Sequence, residues 1–460
     1  MTAEKGANGG ATPTGEGLPV AGSGSLRYAW YVVGVLMLAY VFSFIDRQIF
    51  SLLVSPLRRD LHISDTEISL LQGFSFAVFY TFFGIPIGRL TDVYNRRTII
   101  VVGLVLWSGF TTACGLADTF GAMLLLRMGV GVGEAALSPA AYSLITDYFP
   151  AKRLATAISV YSMGIYIGSG LSFLLGGIAV RYAAKQETWT LPLVGATRPW
   201  QLIFFLVGLP GLLLVPLLFT IREPEARRAM SRLAAVPMRK VFAYIDRNRR
   251  AVLLHNIGFG LLALSTYSSA AWLPEFYRRH FHWDIGTTGI VYGSIVAVFG
   301  CLGITGAGRV ADYLRSRGRA NANLLVGAAI GIIAVPLNIL LYLAPTATWA
   351  TIWLIPGAAM AAAPFGIAPA AIQQMMPPTM RGQASAVYLF VVNIIGLGLG
   401  PTAVAACTQY VFGRDTAVPY SLAIVTSVAC AMGAMLLYAG LKPYLASLDR
   451  LRVWKAEGNL

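Results

Sequence analysis

Asp46 and Arg47 stand side by side in the run Phe42 to Gln48, well inside an apolar stretch long enough to cross a bilayer. An ionisable residue at that depth costs roughly 2.5–3.5 kcal/mol to insert, so its default reading is functional. A second acid and base, Arg127 and Glu134, lie seven residues apart in another apolar stretch. Seven residues is two helical turns, which puts them on one face of one helix. An acid in a low-dielectric setting holds its proton more readily, and a neighbouring guanidinium opposes this. That competition makes a protonation switch, with Asp46 and Glu134 as proton-coupling sites. The plainer reading is a static ion pair that fixes helix packing.

Protonating either acid would free a guanidinium, Arg47 or Arg127, to grip a phosphate or carboxylate with two hydrogen bonds. An anionic cargo follows. By counting residues at 1.5 Å each, Arg127 lies about 10 Å from one end of its helix, at a depth comparable with Asp46 and Arg47, and Glu134 lies about 10 Å further along. The second half of the chain offers neutral groups instead: His255, Asn256, Ser265, Thr266, Tyr267, Tyr388 and Asn393. Of these, Tyr267 and Asn393 are candidates to hold the apolar or neutral portion of a substrate. Their bland reading is interhelical hydrogen bonding.

These residues need elements to position them. The chain of 460 residues is 57% hydrophobic and 12% charged, about half the charged share of a soluble protein. Long apolar blocks alternate with short charged loops, the pattern of a helical membrane protein in which each span satisfies its own backbone. Twelve spans are predicted, over 28–54, 67–89, 97–117, 120–148, 154–182, 200–220, 249–277, 285–311, 321–344, 349–376, 382–410 and 417–441. The expected organisation is a disordered tail (1–27), a six-helix bundle (28–220), a basic linker (221–248), a second six-helix bundle (249–441) and a closing tail (442–460). Apart from Arg47 and Arg127, 25 Lys and Arg residues fall towards the side of the termini and 8 towards the other, which predicts both termini in the cytoplasm of a protein of the cell membrane. The net charge of +15 is this loop asymmetry and not a nucleic-acid footprint. Cys114, Cys301, Cys407 and Cys430 all fall in apolar blocks without a metal or disulfide pattern.

The halves repeat. Gly88, Leu90, Asp92, Arg96 and Arg97 follow span two, and Gly308, Asp312 and Arg315 follow span eight, about one six-helix half further on. Pro150 and Arg153 before span five are echoed by Pro378 and Arg381 before span eleven, at a similar offset. Internal repeats of this kind mark secondary transporters that rock about a central site. The Gly-x-Leu-x-Asp-x-x-x-Arg-Arg loop resembles the signature loop of the major facilitator superfamily, except that Asn95 stands where that pattern often has Gly. Within the superfamily, the chain resembles the Spinster lipid transporters in four stretches and one run. The stretches are Ile45 to Arg47, Ile63 to Asp65, Leu70 to Gly73 and Asp92 to Arg97, and the run is Gly131, Gly133, Glu134 and Ala135. The proton-coupled organic-anion symporters share a similar Asp-Arg pair and an Arg…Glu pair on span four.

The resemblance implies an all-α membrane protein of two pseudo-symmetric six-helix bundles, acting as a monomer by alternating access. It also agrees with a mechanical reading of the loops. Asp92 and Asp312, with Arg96, Arg97, Arg153 and Arg381, would latch the cytoplasmic side shut, since an Asp at a helix end accepts backbone N–H groups. The leading expectation is a carrier of a lysolipid or sphingoid phosphate, linked to protons. The alternative is a proton symporter of sugar acids or similar small organic anions. No cofactor or metal is expected. Gly129, Gly131 and Gly133 follow no strand and lack the Gly-Lys-Ser/Thr ending of a nucleotide loop. Four scattered His residues supply no convergent catalytic set, so no enzyme is expected.

Overall fold

The computed structural model describes residues 26–149, 151–192, 194–223, 238–377 and 380–456. Among these, twelve helices are long and apolar enough to cross a membrane: Leu26–Leu52, Asp65–Thr91, Arg96–Cys114, Phe120–Tyr148, Val160–Ala183, Pro199–Phe219, Arg249–Phe281, Ile285–Ser316, Ala322–Tyr342, Ala347–Met375, Arg381–Phe412 and Asp415–Ala439. They are spans one to twelve below. All but the last few residues of the expected amino-terminal tail, and linker residues 224–237, lie outside the described residues.

Polar caps set where the spans begin. Ser64 and Glu67 form a reciprocal capping box at the start of span two. Thr119, Asp284 and Thr346 accept a backbone N–H at the starts of spans four, eight and ten. Asn95 does the same for span three, taking the Thr98 N–H at 3.0 Å. Its φ of −64° is ordinary, so the position needs a cap and not the freedom of a glycine.

Several spans are bent where the site requires it. Span four breaks at Ala135 and Ala136, just after Glu134. Span two carries a π-helical turn at Leu70–Phe74, and span eleven carries one at Asn393–Gly398. Such turns add a residue to the helix and re-aim the side chains around them.

Spans one to six pack mainly among themselves, as do spans seven to twelve. The halves meet along two seams, span five against span eight and span two against span eleven. At the first seam a Cβ on Gly293 would stand 2.6 Å from the Gly170 carbonyl oxygen, so only glycine permits that approach. Between spans five and six, Trp189–Leu191 pairs antiparallel with Gly195–Thr197. An even number of spans puts both described ends on one face, called here the terminal face. The opposite one is the far face.

Candidate functional site

Consecutive helical residues point about 100° apart, so Asp46 and Arg47 leave span one in different directions. Arg47 turns towards span four. Its Nη2 donates to Glu134 Oε2 at 2.5 Å, and Ser43 Oγ donates to the same oxygen at 2.7 Å. The guanidinium lies over the rings of Phe44 and Phe76, 4.6 and 4.4 Å from their centroids, a cage that favours a cation. Asp46 turns towards span three, where the Thr111 hydroxyl donates to its Oδ2 at 3.2 Å.

Arg127 is wholly buried. Its Nε donates to the Leu71 carbonyl oxygen at 3.4 Å, and its guanidinium lies 5.2 Å from the centroid of Phe50. Among the described residues, neither of its terminal nitrogens has a hydrogen-bond partner, and neither do Asp46 Oδ1 and Glu134 Oε1. Asp46 lies in electrostatic range of both Glu134 and Arg127. The four charged residues are therefore one buried cluster, in which Arg47–Glu134 is the direct pair. The sequence neighbours Asp46 and Arg47 are not each other's partners. Donors and acceptors left open at this depth are costly, and they are the atoms through which a proton or an anion would act.

Gly131 does not leave room beside the cluster, as its position on the Arg127 face suggests. A Cβ there would stand 2.9 Å from the Phe76 carbonyl oxygen, so span two fills the space.

A cavity enclosing about 1100 Å³ of empty space, counting the part open to solvent, approaches this cluster at Phe44, which lines it and over whose ring the Arg47 guanidinium lies. Phe44 and Gln48 of span one and Ile165, Tyr166, Ser169 and Phe173 of span five form its first-half wall, and spans seven to ten and twelve form the rest. Among the described residues no charged side chain lines it. Tyr267 does, packing edge-on against Phe365 at 5.9 Å and lying within electrostatic range of Arg47. Asn393 is buried in span eleven and is not among the lining residues. His255 is occupied structurally, with its ring nitrogens 2.8 Å from Asn256 Oδ1 and 3.0 Å from the Ala368 carbonyl oxygen.

Among the described residues, the members of the expected terminal-face latch make no ion pair across the halves in this conformation. Arg96 is buried within the first half, holding Asp147 at 2.6 Å, Glu223 at 2.7 Å and Ser143 at 2.9 Å. Arg97 donates to the carbonyl oxygens of Phe219 and Ile221. Arg153 is exposed. Arg381 Nε donates to the Gln373 carbonyl oxygen, and Asp312 pairs with Arg315 on its own helix at 3.3 Å. The side chain of Asp92, with Pro150 and Pro378, lies outside the described residues.

A second latch, unforeseen from the sequence, closes the far face. Arg279 at the end of span seven reaches across to Asp65 at the start of span two, with Nη1 to Oδ2 at 2.6 Å and Nη2 to Oδ1 at 2.9 Å. Its Nε also holds Glu275 at 2.7 Å. Glu275 is wholly buried and accepts from Ser55 of the other half at 2.8 Å. Arg58 pairs with Asp415 across the halves, and Thr66 donates to Gln409 at 2.8 Å. Deeper in, Gln72 and Tyr166 donate to the carbonyl oxygens of Ala271 and Ala362. Among the described residues no ion pair joins the halves at the terminal face, so this conformation is fastened at the far face.

The sequence model of the Major Facilitator Superfamily matches residues 36–401. An MFS-type efflux pump of Mycolicibacterium smegmatis is 27% identical over 376 residues, 82% of this chain and 83% of that protein. The hexuronate transporter of Bacillus subtilis is 24% identical over 289 residues, 62% of this chain and 64% of that protein. The crystal structure of a bacterial homologue of the human lysosomal transporter Spinster, inward-facing and unoccupied, superposes with a TM-score of 0.73 at 26% identity, covering 93% of this chain and 98% of that one.

Proposed function

This chain belongs to the Major Facilitator Superfamily, and from that membership we propose that it carries an amphiphilic anionic lipid, a lysophospholipid or sphingoid phosphate, by proton-coupled alternating access. The observation that carries the reading is the contrast across the cavity. On one side Arg47, paired with Glu134, lies behind Phe44 and Gln48. On the other the lining is apolar and neutral. A charged head beside the first wall and an acyl portion against the second would use both.

In this reading a proton on Glu134 breaks its bond to Arg47, and the freed guanidinium grips the phosphate or carboxylate of the cargo. Asp46 and Arg127 set the field in which that exchange occurs, and Tyr267 closes on the head from the second half. The loop charges favour a cytoplasmic terminal face in the cell membrane, and in this reading, which takes the carrier as a monomer, the far-face latch belongs to its inward-facing conformation. Asp92, Arg96, Arg97, Arg153, Asp312 and Arg381 would fasten the cytoplasmic face in the opposite conformation.

The likeness to a hexuronate transporter favours a second reading, symport of a small organic anion such as a sugar acid through the same Arg47–Glu134 exchange. Proteoliposomes decide between them. Uptake of a labelled lysophosphatidate, accelerated by a pH gradient and losing that acceleration in Glu134→Gln, is the expected result. Uptake of a labelled hexuronate with no lysolipid flux would overturn the lipid reading. Lysolipid flux indifferent to the gradient would overturn the coupling alone.

A further inference from the structure

The second-half lobe of the cavity runs past span seven to reach spans nine and twelve, and its walls there are not uniformly apolar. Leu273, Leu337, Leu341 and Leu354 line it, but so do Ser265, Ser269, Asn338 and Tyr342. Two of these polar groups are internally satisfied. The Tyr342 hydroxyl donates to Ser269 Oγ at 2.6 Å, and the Ser269 hydroxyl donates to the Ser265 carbonyl oxygen at 2.9 Å.

Asn338 is different. Its Nδ2 stands 3.5 Å from Ser265 Oγ and 3.7 Å from Cys430 Sγ. The first is longer than the 2.7–3.2 Å of an effective N–H···O bond, and a thiol sulfur is a weak acceptor. A carboxamide carries two donors and an acceptor oxygen, and holding one in an apolar lobe without using them costs free energy. Asn338 is only 9% exposed, and that exposure opens into the lobe. Helix packing does not account for it, because the bonds it makes to spans seven and twelve are the weakest of the patch.

We infer that Asn338, with Ser265 beside it, is a specificity site for a hydroxyl group carried on the apolar part of the cargo. A hydroxyl both donates and accepts, so it can answer the amide oxygen and the amide nitrogen together. A plain alkyl chain can fill the lobe but leaves both unanswered. This inference rests on the amphiphile reading above and adds to it that the tail itself is read.

The test compares lysophosphatidates bearing a stearoyl chain with those bearing a hydroxystearoyl chain, the hydroxyl stepped along the chain. Each displaces labelled stearoyl lysophosphatidate from the purified protein in nanodiscs. One positional isomer should bind about tenfold more tightly than stearoyl. Asn338→Leu, which keeps the branched shape of the side chain without its polar atoms, should bring that ratio to within about twofold. Ser265→Ala should lower the ratio part of the way, which separates recognition from any folding defect of the leucine variant. Equal affinities for all chains in the unaltered protein, or a preference that survives Asn338→Leu, would overturn the inference while leaving the amphiphile reading in place. Failure of every chain to bind would overturn the amphiphile reading and this inference with it.

Discussion

Replacing Arg279 with Met should unfasten the far face. The guanidinium makes three hydrogen bonds to two carboxylates, at 2.6 and 2.9 Å to Asp65 and 2.7 Å to Glu275. Asp65 and Glu275 are 3% and 0% exposed, so little water replaces what is lost. Breaking a buried pair from one side costs about 3–5 kcal/mol. Only part of that bears on the conformational equilibrium. The bond to Glu275 lies within span seven and survives in either state, and Arg278 also holds that carboxylate at 2.9 Å. Asp65 retains Arg58, but at 3.5 Å. The share that crosses the halves is therefore about 2–3 kcal/mol, a factor of about 30–150. A closed state favoured about a hundredfold would become nearly balanced with the open one.

The measurement is the distance between spin labels at Asp118 and Thr416, exposed far-face positions in opposite halves. It is made in nanodiscs, in a background without Cys114, Cys301, Cys407 and Cys430. The parent should give one short component, and Arg279→Met should add a longer one of comparable weight. Arg279→Lys keeps the charge but not the planar fork and should fall between them. Arg452→Ala, whose pair with Asp449 is exposed, should change nothing. A distribution in Arg279→Met that matches the parent would refute the reasoning, because the latch would then hold no difference between the two states.

Two further outcomes follow from the same contacts. Arg96→Ala removes the guanidinium that Asp147 and Glu223 each meet at 2.6–2.7 Å. It should cost about 3 kcal/mol or more in the first half, read as a lower unfolding midpoint, and a midpoint unchanged within error would contradict that accounting. Asp284, between spans seven and eight, has its carboxyl held below the usual carboxylate range first by the Thr287 hydroxyl. A depressed value means that its capping contribution is present above the ordinary carboxylate pKa and is lost as pH falls through the lower, folded one. The protection of the Thr287 and Thr288 amides, measured against the intrinsic exchange rate at each pH, should accordingly fall on acidification, and Asp284→Ala should lower it at neutral pH through loss of about 1 kcal/mol of cap.

The spans and the buried cluster are legible in the sequence for one reason. Charge is so costly inside an apolar run that Asp46, Arg47, Arg127 and Glu134 announce themselves. Their pairing is not legible, because it depends on how each helix is rotated about its axis, and hydropathy does not record rotation. The far-face latch escapes for the opposite reason: arginines at span ends are ordinary, so Arg58, Arg59, Arg278 and Arg279 read only as markers of topology. Yet a signal is there. Arg58, Arg59, His62 and Ser64 recur in the second half, all at one constant offset, as Arg278, Arg279, His282 and Asp284. The structure gives the repeat a physical meaning. His62 and His282 are the two non-glycine residues with positive φ among those described, at 53° and 57°. Ser64 and Asp284 cap the helices that follow them. The duplicated corner is thus alike in backbone and divided in chemistry. In the first half Arg59 turns to its neighbour Asp60, while its counterpart Arg279 reaches across to Asp65. By the same offset the counterpart of Asp65 is Ile285, which can return no such bond. A symmetric corner would tie the halves twice over. One that lacks the reciprocal acid has, among the described residues, one buried ion pair across the halves beside the more exposed Arg58–Asp415 pair, and a gate that opens by alternating access, as proposed above, has to be breakable at a cost of a few kcal/mol.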